Sequence, residues 1–234
     1  MVQQWLVAHY EALKDFVGPA ITFLGFVVTL GLGATAFRRW RRQEVEGRRI
    51  DTAIEALSIA YEAKFVFGTI RSPMSFDYEW KDMPETPGET EPQRRQRGTF
   101  YAVGRRISQH KDFFERVYKL QPRCMAMFGR EAEEIFMLMH KSRRAIEVSS
   151  QMLAWKVGQY EDHEAPDHNQ AFYEQCRRDI WDVGDYQPDE DKVGNQLVKF
   201  RERMENTFRP VLGPNFKGAA EPKRRWWKWR PGEA

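Results

Sequence analysis

The longest apolar stretch of the chain covers residues 16–37 and contains no charged side chain. At about 1.5 Å per helical residue it is about 33 Å long, which matches a bilayer hydrocarbon core of about 30 Å. Glycine and proline are compatible with such a helix, because lipid offers its backbone no other hydrogen-bond partner. The pattern therefore predicts a transmembrane helix over residues 16–37, after a short extracytoplasmic segment over residues 1–15.

Two other interpretations fit an apolar run of this length and composition. A buried core helix is one, although an unbroken charge-free run of this length is unusual in a soluble core. A cleaved signal peptide is the other, since Ala34, Thr35 and Ala36 have the small-x-small pattern of a cleavage site. Against cleavage, the leader lacks a basic start, the apolar run exceeds the usual length, and arginines follow it immediately.

Those arginines predict the orientation of the helix. Arg38, Arg39, Arg41 and Arg42 directly follow the apolar run, whereas the N-terminal flank is nearly neutral. Short flanks rich in lysine and arginine stay in the cytoplasm. We therefore expect the N-terminus outside and residues 38–234 inside, in a cytoplasmic (inner) membrane of bacterial type. Aromatic residues occur near both ends of the run, as membrane interfaces favour: Trp5, Tyr10 and Trp40.

Small residues recur along one side of the predicted membrane helix. At about 100° per residue they form a narrow stripe, which consists of Gly18, Thr22, Gly25, Thr29 and Gly33. Small residues let two helix backbones approach closely, so the stripe predicts self-association into a homo-oligomer. The alternative is that the stripe has no specific role, because glycine and threonine are common in membrane helices.

Behind the apolar run, apolar residues recur at intervals of three and four, the period of helices with one buried face. The period predicts helices over residues 48–70, 99–120, 123–157, 170–183 and 189–210. Pro73, Pro122 and Pro210 mark expected breaks. No alternating strand pattern or hairpin signal is visible. The expected fold class is all-α, with one N-terminal transmembrane helix followed by an antiparallel bundle of four to five helices.

Prolines and charge divide the cytoplasmic part. Residues 38–72 are expected to form a juxtamembrane segment and first helix, and residues 73–98 a long, charged, proline-rich surface loop with disorder over 86–96. Residues 99–210 are the predicted bundle, and residues 211–234 a flexible tail. The turn over residues 68–76 has two interpretations, a docking element or a cap that packs over the end of the bundle.

The tail combines cations with tryptophans, in the sequence Lys223, Arg224, Arg225, Trp226, Trp227, Lys228, Trp229 and Arg230. Cations are attracted to anionic lipid headgroups, and tryptophan favours the headgroup region. This pattern predicts contact with the membrane surface. Nucleic-acid binding through stacking is less favoured, and an ordinary flexible tail is the third interpretation.

Candidate chemistry is sparse. The sequence contains no phosphate-binding loop, nucleophile elbow or paired cysteine motif, and we expect no cofactor and no metal. Residues 161–168 bring acidic residues close to His163 and His168, but a solvated acidic linker explains them more simply. His110 and His140 lie on neighbouring predicted helices, where polar packing is the preferred interpretation. Cys124 and Cys176 are expected to be buried free thiols, as a reducing compartment favours, and a single bridge between them is the alternative that stays open.

Charged residues make up 30% and hydrophobic residues 41% of the chain, which is typical of a globular protein. The net charge of +3 is too small to indicate a partner. Together these features predict a single-pass membrane protein whose cytoplasmic helical domain binds an unidentified protein as a scaffold or sensor, without enzymatic activity. Two alternatives stay open: a membrane-tethered enzyme that uses the four histidines above, and a self-assembling membrane effector that uses the small-residue stripe.

Overall fold

The computed structural model describes residues 2–159, 169–182 and 191–213. Within these ranges the regular structure is entirely helical, without a strand, which confirms the all-α prediction. The chain divides into two compact units, Met1–Arg49 and Ile50–Ala234. The first unit consists of helix, and the second is a helical bundle with one hydrophobic core.

Helix α1 covers Val2–Ile70 and contributes to both units. Pro19 lies inside it without ending it. A proline removes one backbone hydrogen bond, and membrane helices tolerate this better than soluble helices do. Helical structure also continues through Gly47, so the predicted helix over residues 48–70 is part of this element.

Over its described residues, the second unit contains five further helices of more than two turns and one short helix. The short helix α2 covers Asp77–Trp80 and precedes α3, Glu91–Gln109. The others are α4 (Lys111–Phe128), α5 (Arg130–Gln159), α6 (Gln170–Ile180) and α7 (Lys192–Phe208), and a 3₁₀ turn at Arg209–Leu212 follows α7.

Helix α5 lies at the centre of the bundle and packs against α3, α4, α6 and α7. Its contacts with α4 pair Phe114 with Arg143 and Tyr118 with His140, so residue numbers fall along α5 as they rise along α4. The contacts of α5 with α7 (Phe136 with Phe200, Ser142 with Gln196) and with α6 (Ser149 with Asp179, Lys156 with Tyr173) follow the same rule. These helix pairs are therefore antiparallel.

The end of α4 differs from the sequence prediction. Pro122 was the expected break, but it lies inside α4, and the chain turns instead at Gly129. Gly129 has a φ of 75°, a left-handed conformation that glycine adopts at little cost. Helices α3 and α4 are nearly continuous around His110, because the His110 N–H donates to Arg106 O and the Phe114 N–H donates to His110 O.

The expected long loop over residues 73–98 is wrong in its last part, because α3 begins at Glu91. Thr90 and Gln93 form a capping box at this start, with the Thr90 N–H donating to Gln93 Oε1 at 2.8 Å. Pro92 lies in the first turn, where its missing N–H costs no hydrogen bond. The capping-box residues Thr90 and Gln93 therefore indicate a helix start in the sequence, but the prolines of the segment favoured a loop.

Candidate functional site

The N-terminal helix is long and apolar enough to cross a membrane. Its most apolar window has no buried residue, although it carries large side chains such as Phe23 and Leu32, which are 70% and 66% exposed. These side chains are therefore not part of a core built by the described residues. The interpretation as a buried core helix is excluded for this part of the chain.

Every residue of the small-residue stripe is exposed on α1. The Thr22 hydroxyl donates to Gly18 O at 2.9 Å, and the Thr29 hydroxyl donates to Gly25 O at 2.8 Å. A Cβ atom added at Gly18, Gly25 or Gly33 would meet no atom within 4 Å. The stripe is thus a smooth surface whose hydroxyl groups are already bonded within the helix, and its self-association stays a prediction.

The four arginines that follow, here called the arginine cluster (Arg38, Arg39, Arg41 and Arg42), are all exposed on α1. On the described part of the chain, none of them forms an ion pair with a carboxylate. Trp40 lies among them, with its ring centroid 5.7 Å from that of Phe37. These residues share one short helical segment, and their predicted role in setting the topology stays a prediction.

Two of the predicted sites lie outside the described residues. They are the basic tryptophan-rich tail over residues 223–230 and the acidic segment over residues 161–168 with His163 and His168. Their predicted roles stay predictions.

The other two candidate histidines, His110 and His140, lie at separate positions in the bundle. His110 is the junction of α3 and α4. His140 is half-buried, its Nε2 is 2.7 Å from Gln121 Oε1, and its ring stacks on Tyr118 with centroids 4.9 Å apart. Burial, together with the positive charge of Arg143, lowers the pKa of His140. Among the described residues, no three histidine, cysteine or acidic side chains are grouped as a metal ion requires.

Both cysteines are buried and unbridged, as expected. Burial raises the pKa of the Cys124 thiol to about 12. The pKa of Cys176 is also raised, mainly by burial. Because the thiolate is the reactive form, both side chains are poor nucleophiles near neutral pH.

A buried ion pair between α2 and α3 organises the segment before α3. Arg106 Nε donates to Glu79 Oε1 at 2.7 Å and Arg106 Nη2 to Glu79 Oε2 at 2.8 Å, and both side chains are about 6–7% exposed. Arg106 also donates to the carbonyls of Ser72 and Met74. The turn over residues 68–76 is therefore held onto α3, which supports its interpretation as a cap.

A second pair extends this cap. Arg97 donates to both carboxylate oxygens of Glu89, at 2.6 and 2.7 Å, and to Pro84 O at 2.8 Å. The hydrogen bonds from Arg97 lower the pKa of Glu89, and those from Arg106 do the same for Glu79. We name residues 72–90 the cap segment. The sequence did not predict these pairs.

Arg71, buried at the end of α1, is the third arginine that joins separate segments through hydrogen bonds. Its Nη2 donates to the carbonyls of Arg178 and Trp181 at 2.9 and 2.8 Å and to Asp191 Oδ1 at 2.8 Å. Its Nε donates to Asp179 O at 3.1 Å. Asp191 also accepts from the Gly194 N–H, and so caps α7. One guanidinium thus joins the ends of three helices.

A shallow groove lies between α3 and α4 on one side and α5 on the other. Its lining combines aromatic and charged side chains, among them Tyr101, Tyr118, Arg143 and Glu147. The Arg143 guanidinium lies over the Phe114 ring, 4.5 Å from its centroid. The groove is open to solvent and is lined by both apolar and charged side chains.

Comparison with protein-family models, curated proteins and solved structures found no match to this chain.

Proposed function

We propose that this chain is a single-pass membrane protein whose helical domain binds a partner protein at the cytoplasmic face. The proposal rests on the apolar part of α1, which is exposed and is followed directly by the arginine cluster. The proposed topology places residues 1–15 outside and the domain inside.

The hydrophobic effect supports the membrane span. Burying apolar surface is worth roughly 25 cal/mol per Å², so a helix of this length with exposed Phe23, Phe26 and Leu32 is strongly driven out of water. A bilayer covers all sides of such a helix at once and leaves its internal hydrogen bonds intact. The match between the run of about 33 Å and a core of about 30 Å favours a bilayer over a protein partner.

The arginine cluster supports the orientation. A charged side chain costs about 2.5–3.5 kcal/mol at the centre of a membrane helix, so four arginines resist translocation. The N-terminal flank carries Glu11, Lys14 and Asp15, which gives it no positive excess before the apolar run. The positive-inside rule then favours a cytoplasmic position for everything after Phe37.

The surface of the bundle supports a binding role for the domain. Along α1 in the second unit, Ile54, Tyr61 and Phe65 are exposed at spacings of seven and four residues, and Phe65 is 72% exposed. On the cap segment, Phe76 and Tyr78 stack on each other with both rings exposed. Exposed aromatic residues are enriched at protein interfaces.

Crosslinking in native membranes, followed by affinity capture and mass spectrometry, tests the binding role. The tag belongs between Pro87 and Gly88, since both residues are exposed. We expect one dominant foreign protein, and its recovery to fall with Phe65→Ser and not with Lys64→Ser, an exposed control on the same turn. Recovery of this chain alone would contradict the binding role.

A further inference from the structure

The two groups of arginines at the end of the first unit differ in their partners. Arg48 Nη2 lies 2.9 Å from Glu44 Oε1, and Arg49 Nη1 lies 3.7 Å from Glu46 Oε1. By contrast, the arginine cluster forms no ion pair with a carboxylate among the described residues, and all its members are exposed. Its guanidinium groups are therefore accessible to an anionic partner from outside the described chain.

The depth of the cluster indicates the source. From Arg38 to Arg42 the helix rises about 6 Å at about 1.5 Å per residue. The headgroup region of one leaflet is about 5–8 Å thick, since a bilayer measures about 40–45 Å with its headgroups and about 30 Å without them. If residues 16–37 span the hydrocarbon core, the cluster occupies this layer, and the paired Arg48 and Arg49 lie beyond it.

The distribution around the helix agrees with this position. At about 100° per residue the cluster covers about 160° of the circumference, and Trp40 lies on the opposite side. Phe37 packs near Trp40. The arginines thus face the headgroups on one side, while the two aromatic rings occupy the other side at the same depth, where tryptophan is favoured.

We propose that the arginine cluster is a binding site for anionic phospholipid, with guanidinium groups paired to lipid phosphates. This inference rests on the proposed membrane span. The planar guanidinium donates two parallel hydrogen bonds to a phosphate and is the side chain best suited to that geometry. Because no carboxylate of the described residues forms an ion pair with the cluster, lipids with a net negative charge are retained over zwitterionic ones.

The test uses the full chain reconstituted in phosphatidylcholine bilayers with trace spin-labelled lipid. Electron paramagnetic resonance measures the fraction of lipid immobilised at the protein, for phosphatidylglycerol and for phosphatidylcholine separately. We expect phosphatidylglycerol to be preferred about fivefold, the factor expected for one cation at the membrane surface. Replacing all four cluster arginines with glutamine removes the preference, while the immobilised fraction of labelled phosphatidylcholine stays the same because the helix still spans.

Two matched variants locate the site. Arg48→Gln combined with Arg49→Gln removes the paired arginines and leaves the preference unchanged. Replacing Lys223, Arg224, Arg225, Lys228 and Arg230 with glutamine tests the tail, and most of the preference persists. Glutamine has a helix propensity close to that of arginine, so the helix is retained, as circular dichroism verifies.

The outcomes separate the two proposals. Immobilised lipid without a preference for phosphatidylglycerol, or a preference that survives the four cluster substitutions, overturns the lipid site and leaves the membrane span intact. A preference lost with the Arg48 and Arg49 pair or with the tail variant alone also overturns it. The absence of any immobilised lipid contradicts the membrane span itself.

Discussion

Arg106 and Glu79 are almost completely buried, and each satisfies the other's charge in a bidentate pair. Such a pair contributes little net free energy compared with apolar residues, but losing one partner leaves a buried charge alone. The pair also fixes geometry, because the other Arg106 N–H groups hold the carbonyls of Ser72 and Met74. It therefore positions the cap segment on α3.

Substituting Glu79→Gln tests this pair. The hydrogen bonds from Arg106 lower the pKa of Glu79 in the folded state. Its stabilising contribution is therefore present above the unfolded pKa of about 4.3 and is lost as the pH falls through the lowered folded pKa. We expect the variant to lose about 2–3 kcal/mol at pH 7 and to depend less on pH in the acid range.

Urea unfolding of the full chain in mild detergent, followed by circular dichroism at pH 7 and in the acid range, measures both effects. Glu85→Gln is the control, since Glu85 is 82% exposed in its contact with Arg94 and is expected to change stability by less than about 0.5 kcal/mol. Equal losses for the two variants would count against a structural role of the buried pair.

Two glycines of α3 give a matched pair of packing tests. A Cβ atom at Gly98 would lie 2.6 Å from Trp80 Cδ2, whereas one at Gly104 meets nothing within 4 Å. Gly98→Ala therefore lowers stability by about 1–3 kcal/mol through overpacking. Gly104→Ala raises it by about 0.5–1 kcal/mol, because alanine favours the helix. Thermal unfolding distinguishes the two, and a stable Gly98→Ala variant would contradict the packing of Trp80.

At the residue scale, the buried ion pairs are the feature that the sequence does not predict. Arg106 and Glu79 are 27 positions apart, and neither differs in the sequence from the exposed arginines and glutamates around it. Only the fold of the cap segment brings them together. The buried state of Cys124 and Cys176 was predictable, because cysteine without a partner motif behaves as a small apolar residue.

At the scale of elements, Arg71 joins α1, α6 and α7 through one guanidinium. Arg71→Lys keeps the charge but cannot reach the same set of acceptors, since an ammonium lacks the fork geometry. We expect faster amide hydrogen exchange in Gln170–Ile180 and in the first turn of α7, with Lys111–Phe128 unchanged. Arg116→Lys, at an exposed pair with Glu62, is the control. Uniform acceleration in all helices would contradict a local joint.

The small-residue stripe of α1 is expected to mediate self-association of two copies of the chain. Gly25→Leu places a bulky side chain on the stripe, while Gly31→Leu places the same group about 120° away, and both positions are open. If two copies associate through the stripe, energy transfer between labelled chains in liposomes falls severalfold for Gly25→Leu only. Equal transfer for both variants would assign no specific role to the stripe.

Helix positions were predictable where apolar periodicity was strong. Two predicted helix boundaries that relied on prolines were wrong. The helices over 170–183 and 189–210 correspond closely to α6 and α7 over the described residues. By contrast, Pro122 lies within α4 and Pro92 within the first turn of α3. Proline ends a helix only when the lost hydrogen bond and the steric clash exceed the gain from packing, and sequence alone does not give that gain.

At the scale of the whole molecule, the sequence predicted the all-α class, because five segments behind the apolar run have helical periodicity and none has a strand pattern. The order of packing around α5 was not predictable, since antiparallel neighbours depend on which apolar faces match in three dimensions. The proposed membrane span rests on one property, the charge-free run, and is the central claim on which the proposed topology and the proposed lipid site depend.

The enzymatic alternative has its own test at this scale. Elemental analysis of the purified full chain measures bound metal directly. We expect less than about 0.1 metal ion per chain, since His140 is engaged with Gln121 and the described residues contain no metal-ligand group of three. A stoichiometric metal that is lost on changing His163 and His168 to alanine would favour the membrane-tethered enzyme.

The most direct test of the central claim is cysteine accessibility in intact cells. Val7→Cys and Thr86→Cys each add one exposed thiol, and the native thiols react slowly because they are buried and the pKa of Cys124 is raised to about 12. We expect a membrane-impermeant maleimide to label Val7→Cys in intact cells and Thr86→Cys only after permeabilisation. The reverse pattern would contradict the orientation, and release of the protein by alkaline carbonate would contradict the span.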